Sequence, residues 1–161
     1  MLEKKLQEYL TKNDGHNLKR IDYNLLFLES EYKFIGGRID ILALKRNMIV
    51  GIELKARDYS SSQASAQLIN YLTFLEPQRG MVYFVAPKIK PGIISTMQRY
   101  KDRIRLFEFD SKMQFKETYF NNTKRIIDYM MPEESRNEIK NYLKAPITNM
   151  GVRILKKWIE F

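Results

Sequence analysis

Apolar residues recur at helical spacing at the start of the chain and change to strand-like patterns farther along. The first set is spaced by three and four residues, with Lys and Glu between its members: Leu2, Leu6, Tyr9 and Leu10. This spacing predicts an amphipathic helix, and the turn-forming residues Asn13-Asp14-Gly15 are predicted to end it. From Ile21 to Leu28 the pattern is extended, which predicts a first strand.

Two further strands are predicted on either side of a short polar segment. Arg38–Leu44 and Met48–Leu54 are rich in β-branched and aliphatic residues, and Lys45-Arg46-Asn47 separates them. Because so short a polar connection joins neighbouring antiparallel strands, the pair is predicted to form a β-hairpin. Gly36-Gly37 permits a bend or bulge just before it.

Helices and strands then alternate along the chain. The predicted elements are a helix over Gln63–Leu75 that starts after Ser60-Ser61-Ser62, a fully buried strand over Met81–Ala86, a helix from Pro91 to about Lys101, a strand over Ile104–Phe109 and an edge strand over Gln114–Phe120. This order predicts an α/β fold with a mixed central β-sheet flanked by helices. We expect residues 1–120 to form this core and residues 121–161 to form a helical C-terminal extension.

Composition excludes several kinds of chemistry. The 161 residues include no cysteine and one histidine, His16, so disulfides, thiol nucleophiles and metal sites built from Cys or His clusters are excluded. No apolar run is long enough for a membrane span, and the N-terminus has no signal-like apolar core, so a cytoplasmic protein without a membrane partner is expected. The net charge of +9 favours a polyanionic partner such as nucleic acid.

Two carboxylates are predicted to face each other across the hairpin. If the hairpin turns on Arg46-Asn47, Lys45 pairs with Met48, and the same register brings Asp40 opposite Glu53. Side chains alternate along strands, so Asp40 is expected to point away from its apolar neighbours Ile39 and Ile41. Facing carboxylates repel, and a divalent cation with a preference for oxygen ligands, Mg²⁺ or Mn²⁺, would remove that repulsion.

A lysine completes the predicted site. Lys55 lies two residues beyond Glu53 and therefore on the same face of the strand. An ammonium there can hold a water or hydroxide and stabilise charge on a phosphate, while the metal activates the bound water. Asp40, Glu53 and Lys55 are therefore sufficient for phosphodiester hydrolysis without histidine or cysteine.

The segment resembles the PD-(D/E)XK, or restriction-endonuclease-like, nuclease superfamily. The resemblance rests on GGRIDILAL and IELKA, residues 36–44 and 52–56, followed by Gln67-Leu68 and Tyr71. It covers roughly residues 21–86 and is most similar to archaeal NucS-like nucleases and related archaeal viral nucleases. The family proline is absent, because Ile39 precedes Asp40.

The resemblance implies a role for each matching residue. It makes Asp40, Glu53 and the backbone carbonyl of Leu54 metal ligands, and it makes Lys55 catalytic. An acidic residue on the preceding strand often joins the metal site, and Glu31 fits best, with Glu29 as the competitor. Gln67 is expected to point at the active site as a catalytic residue. The spacing places Tyr71 on one polar stripe of the helix with Gln63 and Gln67, and the resemblance implies that Tyr71 lies near the active site. The residues expected to contact nucleic acid are Arg38, Arg57 and Tyr71.

The function predicted from these residues is a nuclease that depends on Mg²⁺ or Mn²⁺ and hydrolyses DNA, whether branched, flap or single-stranded. The alternatives are a catalytically silent nucleic-acid-binding module on the same scaffold and a Holliday-junction resolvase. A homodimer is also expected, because an apolar C-terminal helix must bury one face: Ile154, Leu155, Trp158, Ile159 and Phe161.

Overall fold

A computed structural model describes residues 2–120 of the chain. The first helix, α1, spans Glu3–Gly15. The predicted stop at Asn13 and Asp14 is confirmed, since both have left-handed φ angles that break the helix there. A 3-10 helix over His16–Arg20 follows and leads into the sheet.

Six strands form a single mixed sheet in chain order. They are β1 (Leu25–Phe34), β2 (Gly37–Lys45), β3 (Met48–Leu54), β4 (Met81–Ala86), β5 (Ile104–Phe109) and β6 (Phe115–Thr118). β1, β2 and β3 are antiparallel, β3, β4 and β5 are parallel, and β6 is again antiparallel. The parallel connections contain helices α2 (Ser61–Leu75) and α3 (Pro91–Met97). The predicted mixed sheet with flanking helices is confirmed.

Each face of the sheet has its own apolar core. On one face, Leu6 and Leu10 of α1 pack with Ile52 and Val85. On the other face, Leu68 and Leu72 of α2 pack with Phe84 and with residues of α3. Because β3 and β4 are covered on both sides, the ends of these strands are rigid positions for functional side chains.

Two boundaries differ from the sequence prediction. The first strand starts at Leu25 and continues to Phe34. The polar residues Glu29 and Glu31 were expected to end this strand, but they lie within it. These residues can remain in the strand because β1 is at the edge of the sheet, where their side chains are solvated. Helix α3 ends at Met97 and continues as a 3-10 turn over Gln98–Tyr100.

The predicted C-terminal extension, with the apolar helix at residues 146–161, lies outside the described residues and stays a prediction. Within residues 2–120 no helix is both long and apolar enough to cross a bilayer.

Candidate active site

Asp40 and Glu53 lie at the same end of the β2–β3 hairpin, as the register predicted. The ladder runs from Lys45 opposite Met48 to Ile41 opposite Ile52, so Asp40 and Glu53 are the next positions beyond it. An Asp40 Oδ2 atom accepts a hydrogen bond of 2.9 Å from the backbone N–H of Leu54. The Asp40 carboxyl is therefore held against the end of β3, beside Glu53.

The backbone around Asp40 is irregular. Ile39 packs into the core beneath α2, whereas Ile41 packs into the core beneath α1, so the strict alternation expected for Ile39, Asp40 and Ile41 is wrong. Across the ladder Glu31 has a φ of +53°, a left-handed conformation that is uncommon for a residue other than glycine. Gln7 of α1 donates a 2.7 Å hydrogen bond to the Asp40 carbonyl. The left-handed backbone at Glu31 and the Gln7 donor therefore lie where Asp40 leaves the regular ladder.

Burial gives both carboxyl groups raised proton affinity. Only 3% of Glu53 is exposed, and burial, reinforced by the negative charge of Asp40, raises its pKa to about 7. Burial also raises the pKa of Asp40 above its usual value, against the opposing effect of the Leu54 N–H. Desolvation and a like charge both disfavour ionisation. The pair therefore carries less negative charge than two free carboxylates and would ionise fully beside a cation.

Lys55 is the ammonium next to this pair. Its Nζ lies 3.1 Å from Oε1 of Glu53, and both side chains are largely buried. The backbone N–H of Lys55 donates a 2.8 Å hydrogen bond to the Val85 carbonyl, which fixes the residue at the end of β4. The sequence prediction that Lys55 shares a face with Glu53 is confirmed.

Tyr71 lies beside the candidate site, as the resemblance implied, but it is not on the polar stripe of α2. It was predicted on a polar stripe of α2 beside Gln67, but only 2% of it is exposed and it packs in the core beneath α2. Its hydroxyl contacts Oε2 of Glu53 and lies 2.5 Å from the Arg38 carbonyl. The burial leaves no surface for stacking on a base, so Tyr71 is a support for Glu53 and the predicted nucleic-acid contact is corrected.

The two contacts of Tyr71 indicate where a proton lies. A tyrosine hydroxyl has one hydrogen to donate, yet both neighbours of the Tyr71 hydroxyl are acceptors when Glu53 is ionised. The hydroxyl keeps this hydrogen and shares it between the Glu53 carboxyl group and the Arg38 carbonyl, and its donation to Glu53 lowers the pKa of that carboxyl. Burial and the charge of Asp40 outweigh this effect, so the pKa of Glu53 is still raised to about 7.

Arg38 connects the edge strand to the site. Its guanidinium lies 3.5 Å from a carboxylate oxygen of Glu31 and 3.7 Å from Asp40 Oδ1. Arg38 and Glu31 are both about half exposed. Glu31 therefore lies close to Asp40 through Arg38, and its predicted role as a metal ligand stays a prediction.

Two predicted residues make no hydrogen bond or ion pair with these carboxyl groups within residues 2–120. Gln67 is exposed on α2, one turn before Tyr71, and Arg57 is exposed on the segment after β3. Their predicted roles in catalysis and nucleic-acid binding stay predictions.

The donor atoms fit a hard divalent cation. Asp40 and Glu53 supply carboxylate oxygens, and the peptide of Leu54 lies beside Asp40. Residues 2–120 contain no group of three or more His, Cys, Asp and Glu side chains that could bind a metal. Mg²⁺ suits such a site, because it commonly uses one or two carboxylates and fills its shell with water and phosphate oxygens.

The sequence did not predict a set of hydrogen bonds and an ion pair, between residues 58–59 and residues 88–90, that positions the segment between Lys55 and α2. The Tyr59 hydroxyl donates to the Lys88 carbonyl at 2.9 Å and accepts from the Lys90 backbone N–H at 2.7 Å. The ammonium of Lys90 pairs with Asp58 at 2.7 Å. These contacts join residues about thirty positions apart, so no local pattern could have identified them.

Comparisons with known proteins agree with the observed architecture. No family model and no curated protein matches this chain. Among solved structures, one match is EndoMS in complex with double-stranded DNA, at 23% identity and a TM-score of 0.56, covering 66% of this chain and 44% of that one. Another is a repair endonuclease from Pyrococcus abyssi, at 18% identity and a TM-score of 0.57, covering 68% and 47%. This chain thus matches less than half the length of either protein, and over that part it has the restriction-endonuclease-like fold that its sequence resembles.

Proposed function

We propose that this chain is a nuclease that depends on Mg²⁺ or Mn²⁺ and hydrolyses DNA phosphodiester bonds at Asp40, Glu53 and Lys55. The observation that carries the proposal is the pair of buried carboxyl groups with raised pKa values beside one ammonium. Strongly perturbed titratable groups gathered at one place are typical of functional sites. The two solved structures with this fold support the proposal, since one is named a repair endonuclease and the other is bound to double-stranded DNA.

Asp40 and Glu53 are the proposed metal ligands, with the Leu54 carbonyl and Glu31 as further candidates. When bound, the cation would lower the pKa of a coordinated water and neutralise charge on the phosphate. The Leu54 N–H orients Asp40, and Tyr71 orients Glu53. Both carboxylates are therefore held ready by groups from neighbouring elements.

Lys55 is the proposed partner of the attacking water. Its ammonium can hold a water or hydroxide and stabilise the extra negative charge of the transition state, because it lies in a largely buried site. The exposed Arg38 and Arg57 are proposed to contact phosphates, and Gln67 is proposed to reach the site from α2.

The test is cleavage of labelled single-stranded, duplex, flap and four-way-junction DNA with Mg²⁺, Mn²⁺ or EDTA. We expect metal-dependent cleavage that Asp40→Asn lowers at least about 10³-fold. Asp22→Asn is the matched control, because Asp22 lies at the other end of the sheet, and it should cleave at the parent rate. Cleavage that survives Asp40→Asn would overturn the proposal.

Two other results would identify an alternative. DNA binding without turnover, unchanged by metal and by Glu53→Gln, would identify a silent binding module. Paired symmetric nicks confined to the four-way junction would identify a resolvase.

We also propose a homodimer. Leu26 and Leu28 are exposed on the edge strand β1, where a second copy could cover them. Light scattering at tens of micromolar should give twice the mass of 19.3 kDa, and the monomer mass would exclude the dimer.

A further inference from the structure

The tip of the β1–β2 hairpin presents an isoleucine to solvent. Phe34 pairs with Gly37, so Ile35 and Gly36 form the connection. Ile35 is fully exposed and is the most exposed large apolar residue within residues 2–120. Gly, Asn and Asp favour such tight connections for conformational reasons, and an exposed isoleucine adds no packing. The fold therefore does not explain why isoleucine is at this position.

The hairpin under Ile35 is rigid. Phe34 stacks on Phe74 of α2 with ring centroids 4.6 Å apart, and Tyr32 lies 6.0 Å from the same ring. Phe34 also meets Tyr71 edge to face at 6.0 Å. Since Tyr71 contacts Glu53, the aromatic cluster fixes the hairpin relative to the candidate active site.

Two cations lie directly opposite each other below the tip. Lys33 pairs with Arg38 across the ladder, and both side chains are exposed. Like charges at facing positions destabilise a sheet. Glu31 lies 3.5 Å from Arg38, but such a half-exposed ion pair contributes little, so a phosphate-bearing partner would still reduce the repulsion between the two cations. This is a second observation at the tip, independent of the isoleucine, and it points to a polyanion.

The tip is close enough to the site to touch the same ligand. Ile35 precedes Asp40 by five residues of extended chain, which limits their separation to about 17 Å. That is a span of about five base pairs of B-DNA. One duplex can therefore contact the hairpin tip and the site at Asp40 together.

We propose that the β1–β2 hairpin is a DNA wedge, in which Ile35 inserts against a base step of a duplex and Lys33 and Arg38 hold the flanking phosphates. The inference rests on the proposed function, because it takes DNA as the substrate. Apolar wedges of this type partly unstack the step that they enter. Unstacking costs less where stacking is already interrupted, so the wedge selects duplexes with a nick or an abasic site over intact ones.

The experiment measures binding and unstacking in EDTA, so that no cleavage occurs. The full chain is titrated with intact, nicked and abasic duplexes that carry 2-aminopurine beside the interruption, or at the same position in the intact duplex. Anisotropy measures binding, and the fluorescence of 2-aminopurine measures unstacking. We expect at least fivefold tighter binding to the interrupted duplexes and a rise in fluorescence. Ile35→Asn, which suits a turn, should lower the preference to within twofold and remove the rise. Leu2→Ala, a change at an exposed apolar residue just before α1, should behave like the parent chain.

The outcomes separate the wedge from the nuclease. If the parent chain binds DNA but Ile35→Asn keeps both the preference and the fluorescence, the wedge is overturned and the proposed function stands. If the parent chain binds none of the duplexes in EDTA yet cleaves them with Mg²⁺, the wedge is also overturned. If the parent chain neither binds nor cleaves any of the duplexes, both the wedge and the proposed function are overturned. Ile35-dependent co-sedimentation with anionic phosphatidylserine vesicles, without DNA binding, would assign the tip to a lipid surface and overturn the wedge.

Discussion

Two polar clusters lie at opposite ends of β2 and shift the pKa values of their carboxyl groups in opposite directions. At the Lys45 end, Oδ2 of Asp22 lies 2.8 Å from Lys45, 2.8 Å from Arg105 and 2.7 Å from the Tyr83 hydroxyl. At the other end, Asp40 and Glu53 share Lys55 and the more distant Arg38. The Asp22 cluster has a cation for each acid, since Arg105 also binds Glu117, whereas the pair of Asp40 and Glu53 lies close to one ammonium.

The titration of the two clusters follows from this difference. Burial opposes ionisation of Asp22, but hydrogen bonds from Lys45 and Tyr83 outweigh it and lower the pKa to about 2. The pKa of Glu53 is instead raised to about 7, by burial and by Asp40. A satisfied cluster stabilises the fold, and an unbalanced one is suited to binding a cation.

Exchanging the two lysines for methionine should separate catalysis from stability. Lys55→Met is expected to lower the cleavage rate about 10²–10³-fold, since it removes an ammonium from a largely buried site. Lys45→Met should leave the rate within about twofold but lower the free energy of unfolding by about 1–2 kcal/mol, because Asp22 loses a partner. Single-turnover rates and denaturant unfolding measure the two effects. Equal losses of the cleavage rate in both variants would contradict the assignment of Lys55 to catalysis and Lys45 to stability.

Glu53→Gln should gain stability relative to the parent chain as pH rises in EDTA. Folding raises the pKa of Glu53 from 4.5 to about 7, so the native state binds more protons in this interval and ionisation costs stability. Below about pH 4.5 this cost is absent, and above about pH 7 it is complete at on the order of 3 kcal/mol. The difference in unfolding free energy between the two proteins should therefore change by this amount.

Mg²⁺ should reverse this trend for the parent chain only. A cation that binds the ionised site stabilises the native state, and Glu53→Gln has lost one of the ligands. A stability difference that stays constant from pH 4.5 to pH 8 in EDTA would contradict the assignment of the raised pKa to Glu53.

Asp22→Asn should show the opposite pH dependence. The pKa of Asp22 is 3.8 when unfolded and about 2 when folded, so its ionisation stabilises the fold by about 2 kcal/mol above pH 4. That contribution is lost as pH falls through about 2. We expect the variant to be less stable than the parent at pH 6 and the gap to close between about pH 4 and pH 2. Urea unfolding across that range measures it, and a gap that widens with acid would refute it.

The sequence predicted the adjacent positions of Asp40 and Glu53 because that geometry is local. A short polar connection between alternating strands determines the register from Lys45–Met48 to Ile41–Ile52, and Glu53 and Lys55 follow from the two-residue period. The irregular alternation around Asp40 was missed, since Asp40 contacts Gln7, which is 33 positions away, and Leu54. The Asp22 cluster was missed because it joins residues 61 and 83 positions apart.

Tyr71 shows why helix faces are harder to predict than strand registers. Its phenol is large and mostly apolar, so burial beside Leu68 and Leu72 is favourable once the hydroxyl has a partner. Glu53 and the Arg38 carbonyl provide that partner. Spacing alone assigned Tyr71 to the stripe of Gln63 and Gln67. It could not show that Glu53 and the Arg38 carbonyl provide hydrogen-bond partners for a buried hydroxyl.

Tyr71→Phe is expected to have the smallest effect on the cleavage rate and to shift the pH dependence of that rate. The Tyr71 hydrogen bond lowers the pKa of Glu53, so removing the hydroxyl should raise that pKa above about 7 and shift the acid limb of the rate profile to higher pH. Cleavage should fall about tenfold at pH 7 and approach the parent rate near pH 9. The free energy of unfolding should fall by about 1 kcal/mol, since the Arg38 carbonyl loses its donor. A merely structural role would lower the rate equally at every pH, so an unshifted acid limb would show that Tyr71 does not act through Glu53.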